Sequence, residues 1–141
     1  MDIQHAMMVR SGGQEIYRAL TEGSALSGWF GPECLAEPRV GSAVEVRFHD
    51  RHGYSLKFEV TDLEPGSRVG WRVVKAIPSW DDFPSTLTWT LVPYESSTIV
   101  HLRHSGWPED HEAFPSVSFK WAEYMMALRT YLHTGEKGTA R

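Results

Sequence analysis

The sequence predicts an α+β domain in which a curved antiparallel meander carries one long helix across its concave side. Three observations lead there. From Gly41 to Ser105 apolar and polar residues alternate, which is the period of half-buried strands. From Pro115 to His133 apolar residues recur at threes and fours instead, the period of a helix with one covered stripe. The chain has 141 residues, 41% hydrophobic and 23% charged, the composition of a single ordinary globular domain. We place the domain at residues 1–134 and a loose tail at 135–141.

In chain order, Asp2 to Val9 reads as a strand, with Ile3, Met7 and Val9 on one alternating face. Ser11 and Gln14 have the spacing of a capping box, and Ile16, Ala19 and Leu20 make the stripe of a helix ending near Gly23. A second short helix, Ser24 to Trp29, closes at Gly31-Pro32, which a helix does not continue through. Strands follow in which Val44, Val46 and Phe48 alternate with Glu45, Arg47 and His49, and Leu56, Phe58 and Val60 alternate with Lys57 and Glu59. Glu64-Pro65-Gly66 is a turn into Val69, Trp71 and Val73. Leu87, Trp89 and Leu91, then Val100, Leu102 and His104, repeat the pattern. Five meander strands thus share one apolar and one polar face, as in an antiparallel sheet with one side wet. The last helix, about 28 Å long at 1.5 Å per residue, starts at Pro115 and stops at Gly135. Its stripe of Val117, Trp121, Met125, Leu128 and Leu132 has only the sheet's apolar face as a large partner.

Charge and cysteine usage exclude several functions. Fourteen basic residues stand against 18 acidic ones, net −4, with no run of five like charges, so nucleic acid is not an expected partner. One cysteine, Cys34, forms no internal disulfide. The beginning of the chain lacks a signal peptide's basic start and apolar stretch, and no apolar run is long enough to span a membrane, so the expected location is the cytoplasm. Monomer and homodimer are both left open.

Several stretches carry a family resemblance. Ile16-Tyr17-Arg18-Ala19-Leu20-Thr21 followed by Trp29-Phe30, Leu63-Glu64-Pro65-Gly66 leading into Val69-Gly70-Trp71, His104-Ser105-Gly106-Trp107, and Trp121 through Tyr131-Leu132-His133-Thr134-Gly135 together resemble the SRPBCC superfamily. Within it the chain is most similar to activator of heat-shock-protein-90 ATPase homologues. The resemblance implies a helix-grip fold, as in START domains and the birch-pollen allergen: seven antiparallel strands wrapped around the C-terminal helix and an apolar cavity, with two short helices between the first two strands. The two strands beyond the meander would be the N-terminal one and a piece near Cys34 to Arg39. Ser11-Gly12-Gly13 departs from the more common proline-containing helix start. Membership does not settle activity, because one fold hosts many functions.

Six Trp, six Phe and five Tyr make up 12% of the chain. Strand parity turns Phe48, Tyr54, Leu56, Phe58, Trp71, Trp89, Leu102 and His104 toward the long helix, opposite Trp121, Met125 and Leu128. They either wall a cavity for an apolar or aromatic small molecule, with Met125 and Met126 as adaptable surface, or fill the space themselves. A bulge would flip part of the set. Trp80, Phe83, Trp107 and Phe114 lie in loops and suit a cavity mouth. His104, on an apolar parity position with Tyr54 and Tyr124 as candidate partners, would either orient a ligand, act as acid or base, or be structural. A metal is not expected, since His101 and His104 have opposite parity and the loop His49-Asp50-Arg51-His52 lacks a second ligand pair. Cys34 has no activating neighbour, Ser105 faces away from His104, and Asp81-Asp82 and Glu109-Asp110 read as solvated loop acids. No cofactor is expected. The leading expectation is non-catalytic binding of a small apolar molecule; the alternatives are a chaperone-regulating interaction module and a cyclase or hydrolase acting through His104.

Overall fold

The period-two segments form seven strands in the computed structural model, which describes residues 1–48, 55–77 and 80–136. The elements are β1 (Ile3–Val9), α1 (Gly13–Thr21), α2 (Gly23–Leu26), β2 (Glu33–Leu35), β3 (Ala43–Arg47), β4 (Ser55–Glu64), β5 (Arg68–Ile77), β6 (Thr86–Tyr94), β7 (Ser97–Ser105) and α3 (Phe114–Thr134). All neighbours in the sheet are antiparallel, in the order β1-β7-β6-β5-β4-β3-β2. Chain neighbours β1 and β2 therefore stand at opposite edges, and α1 and α2 carry the chain between them. This is the helix-grip arrangement.

Boundaries differ from the sequence expectation where local chemistry competes. The Ser11–Gln14 capping box does not form. Gly12 caps α1 without a side-chain hydrogen bond, and the Ser11 hydroxyl donates to Glu15 at 2.8 Å. The second helix covers Gly23–Leu26 rather than Ser24–Trp29, since Gly28 and Gly31 bracket Trp29-Phe30 and loosen the chain there. The strand expected from Cys34 to Arg39 is only Glu33–Leu35, because Pro38 withholds a donor. At the far end the stop is as read, with Gly135 left-handed and its N–H donating to the Tyr131 carbonyl at 2.8 Å.

Two register shifts interrupt β4–β5, between Lys57 and Phe58 and between Val60 and Asp62. The first leaves Val74 as an extra residue on β5, so that Ala76 rather than Lys75 turns inward. Phe58 and Trp71 lie before the flip and keep the expected face. The outer face carries exposed ion pairs such as Arg72–Glu59 and Arg47–Glu33, which add solubility more than stability.

The long helix does not lie evenly on the sheet. Its backbone runs close to β1 and α1, with His5 Nε2 3.0 Å from the Ser118 carbonyl. Toward β4, β5 and β6 the separation is spanned by aromatic side chains. The core is therefore thickest in its middle, and that is where the aromatics converge.

Candidate functional site

A stack of rings occupies the space between sheet and helix. Phe58 of β4 and Trp71 of β5 stack at 5.0 Å, and Trp71 meets Trp89 of β6 edge-on at 5.8 Å. From α3, Trp121 and Tyr124 come down on the same cluster. Between the two layers sits Phe30, from neither sheet nor long helix. It stacks on Trp71 at 7° and 6.1 Å and on Phe58 at 6.1 Å, and it meets Trp121 at 5.7 Å and Tyr124 at 4.9 Å. Only 1% of Phe30 is exposed.

The turn after α2 delivers this ring. Its neighbour Trp29 stacks on it at 4.9 Å and is anchored by its Nε1–H donating to the Ala19 carbonyl at 2.9 Å. Gly28 permits the approach, because a Cβ there would lie 2.3 Å from the Tyr131 ring. Parity reasoning within strands could not find Phe30 or Trp29. The available signal was local: two large aromatics bracketed by glycines and followed by proline.

Of the wall residues read from the sequence, Leu56, Phe58, Trp71, Trp89, Leu102, His104, Trp121, Met125 and Leu128 are buried. Phe48 is half-buried. Tyr54 lies outside the described residues, as does His49-Asp50-Arg51-His52. Met126, expected beside Met125 as adaptable cavity surface, is instead 57% exposed, one position round the helix, and faces away from the sheet.

A second aromatic group is built from the residues expected at a mouth. Trp107 is buried, and Trp80, Phe83 and Phe114 are half-buried. Trp107 contacts Phe83 at 4.7 Å, Phe114 at 5.4 Å and Trp80 at 6.2 Å. Gly106 makes this fold-back possible, with φ of 103° and the Pro84 carbonyl 2.6 Å from where a Cβ would sit. Trp80 and Trp107 also lie edge-on to His104 at 5.1 and 5.2 Å, so the two groups meet across that histidine.

The hydrogen-bond partners of His104 among the described residues are Trp121 and Ser85. The Trp121 Nε1–H donates to His104 Nδ1 at 3.2 Å, and His104 Nε2 lies 3.0 Å from Ser85 Oγ. An indole nitrogen only donates, so Nδ1 is the acceptor and Nε2 carries the proton. Burial lowers the ring's pKa to about 3, so it is neutral at ordinary pH. A ring that donates to Ser85 is not a base for it, and the Ser85–His104 contact is not a nucleophilic pair. Ser85 was invisible to sequence reasoning because it is brought there by β6–β7 pairing, in which Thr86 faces Ser105.

The remaining reactive groups are occupied elsewhere. Burial raises the Cys34 thiol to about 11. Asp81 accepts the Ala76 N–H at 3.0 Å, and Asp82 lies 3.1 Å from His111 Nε2. Among the described residues no group of three His, Cys, Asp or Glu converges as a metal site requires. None of the described helices is long and apolar enough to cross a membrane. Outside the interior, a shallow cleft of about 290 Å³ between α1, α2 and the end of α3 bears Glu15, Arg18 and Glu22.

Residues 13–133 match the family model described as activator of Hsp90 ATPase homolog 1-like protein. The chain belongs to this family. Among solved structures, the Aha1 dimer from Colwellia psychrerythraea is 28% identical, with a TM-score of 0.83 over 96% of this chain and 98% of that one. DynU16, a putative protein from the dynemicin biosynthetic locus, is 22% identical with a TM-score of 0.82, over 97% of this chain and 49% of that one. An Hsp90 activator from Plasmodium falciparum shares the fold at 13% identity and a TM-score of 0.72, over 96% and 97% of the two chains. There is no match among curated proteins. At 22% and 13% identity, DynU16 and the Plasmodium falciparum protein share the fold with this chain.

Proposed function

We propose that this Hsp90-activator-family domain binds an apolar, ring-containing small molecule between the sheet and α3, without chemistry, and that Phe30 occupies the ring position when no ligand is bound. The observation that carries this reading is Phe30 itself. A ring supplied by a connecting turn lies between Phe58 and Trp71 on one side and Trp121 and Tyr124 on the other. Phe30 thus fills a ring-sized place bordered by both layers, which meet directly beside it through Trp121 with Phe58 at 6.4 Å and with Trp89 at 6.1 Å, and ring contacts at these distances are the geometry aromatic pairs favour. Met125 adds a soft wall, since its thioether adapts to guests of irregular shape. The neutral, doubly hydrogen-bonded His104 supports a binding role over a catalytic one, because general acid–base work needs a pKa near the operating pH.

The test is native mass spectrometry and thermal shift of the unaltered chain against ring hydrocarbons and aromatic metabolites. At least one should bind, and Met125→Trp, which fills the space beside the rings, should abolish the hit. Absence of any bound species or stabilisation would refute the reading. A second reading, regulation of a chaperone, is favoured by the family match and by the 28% identity to an Aha1 protein. It predicts stimulation of a cognate chaperone's ATPase by the purified domain, and a flat ATPase rate would remove it.

A further inference from the structure

Among the described residues, three buried indole N–H groups, those of Trp71, Trp89 and Trp107, have no hydrogen-bond partner. Such donors are rare inside proteins, since leaving one dry forfeits most of a hydrogen bond. Here two of the three, Trp71 and Trp89, are neighbours edge-on at 5.8 Å and belong to the ring layer on the sheet side. The rings around them present π faces, which are weak acceptors.

The other polar groups of the interior show the contrast. Trp29 donates to Ala19, Trp121 donates to His104, and His104 in turn reaches Ser85. What the sheet side leaves open is therefore donors. None of the ring layer's members carries a charge, His104 beside Trp121 and Trp80 is neutral, and Lys120, whose Nζ stands 5.3 Å from the Tyr124 ring centre, is paired with Glu123 at 3.7 Å. A buried anion would find no counter-ion among these residues, and burying an unpaired charge is far costlier than burying a neutral carbonyl.

Resting on the binding reading above, we infer that the guest is an uncharged ring compound bearing carbonyl-type acceptors, held by the indole N–H groups of Trp71 and Trp89. Pure hydrocarbons fit the shape but leave both donors dry. Carboxylates satisfy the donors but are excluded by their charge. Neutral ring ketones and lactones meet both conditions.

Three probes of one shape separate these cases: 9-fluorenone, fluorene, and fluorene-9-carboxylate. Binding is read by thermal shift, and the tryptophan indole N–H resonances are read by proton–nitrogen correlation on the unaltered chain, assigned with single Trp→Phe variants. Fluorenone should bind about five- to tenfold more tightly than fluorene, the ratio of one net hydrogen bond, and the carboxylate weakest of all. The Trp71 or Trp89 indole proton should move downfield with fluorenone and stay in place with fluorene. Trp71→Phe or Trp89→Phe should narrow the ratio; should either fail to fold, the resonance shifts of the unaltered chain decide alone. Equal affinity for fluorenone and fluorene, or fluorenone binding that leaves both resonances unmoved, would overturn the assignment of acceptors while leaving the binding reading in place. Binding of none of the three overturns both.

Discussion

Replacing Phe30 by alanine is the most direct test of a ring that bridges two layers. The side chain is 1% exposed and meets five other rings, those of Trp29, Phe58, Trp71, Trp121 and Tyr124, at 4.9 to 6.1 Å. Deleting a buried phenylalanine costs about 3–5 kcal/mol through lost transfer energy and the cavity left behind. Five ring pairs, each contributing about 0.5–1.5 kcal/mol beyond area, put this site in the upper half of that range, at about 4–5 kcal/mol. In a chain of this length that is a fall in Tm of about 15–20 °C. Urea unfolding followed by circular dichroism should give the loss as a lower midpoint at unchanged slope. The vacated space is apolar, so benzene at ten times its Kd should restore about 1.4 kcal/mol. Phe119→Ala is the control, because Phe119 is 68% exposed and its loss should stay within about 0.5 kcal/mol. A loss at Phe30 below about 1.5 kcal/mol, with no stabilisation by benzene, would refute the placement of this ring at the centre of the interface.

Three further outcomes follow from other features. The His104 ring titrates at about 3 in the fold against an ordinary 6.5; the unfolded chain therefore takes the proton first, and this contribution is intact above about pH 6.5 and falls by about 1.4 kcal/mol per unit as pH drops toward 3. His104→Gln should accordingly be less stable at pH 7 yet lose less than the parent between pH 6.5 and 4.5, and equal slopes would contradict the burial argument. Gly106→Ala combines a φ of 103° with a Cβ 2.6 Å from the Pro84 carbonyl and should cost about 2–3 kcal/mol in a thermal melt; a neutral result would show that Trp107 does not depend on that turn. Cys34, with its thiol raised to about 11 by burial, should react with a disulfide reagent at pH 8 on the order of a hundredfold more slowly in the native chain than in guanidinium, and comparable rates would show the thiol to be accessible.

How far the sequence could be read depends on the range of the interaction concerned. Phe58, Trp71, Trp89 and Leu102 are inward-facing because a one-sided sheet imposes period two, and that pattern is written in adjacent residues. The bulge at Val74 that turns Ala76 inward leaves no comparable mark, since neither residue type demands it. Phe30 carries no such mark either, because its role comes from how α2 ends rather than from any period. His104 stands on an apolar parity position, and its burial follows from that alternation. Its partners Ser85 and Trp121, 19 and 17 positions away, belong to pairing and packing that no local window contains.

The opposite placement of β1 and β2 bears on the order in which the chain is assembled during synthesis. The hairpins from β3 through β7 join segments made one after another, so each can close as soon as its second strand emerges. β1 has no such neighbour: Ile3 pairs with His104 and Val9 with Thr98. β1 must remain without its partner until about a hundred residues later, and contacts of such sequence separation are the slow ones to form. A translating ribosome thus carries an unpaired β1 edge for most of the chain's length, the kind of segment to which holding factors attach. The β1–β7 seam is the last join in the sheet, and pulse-labelled hydrogen exchange should find its amides protected after those of β6 and β7.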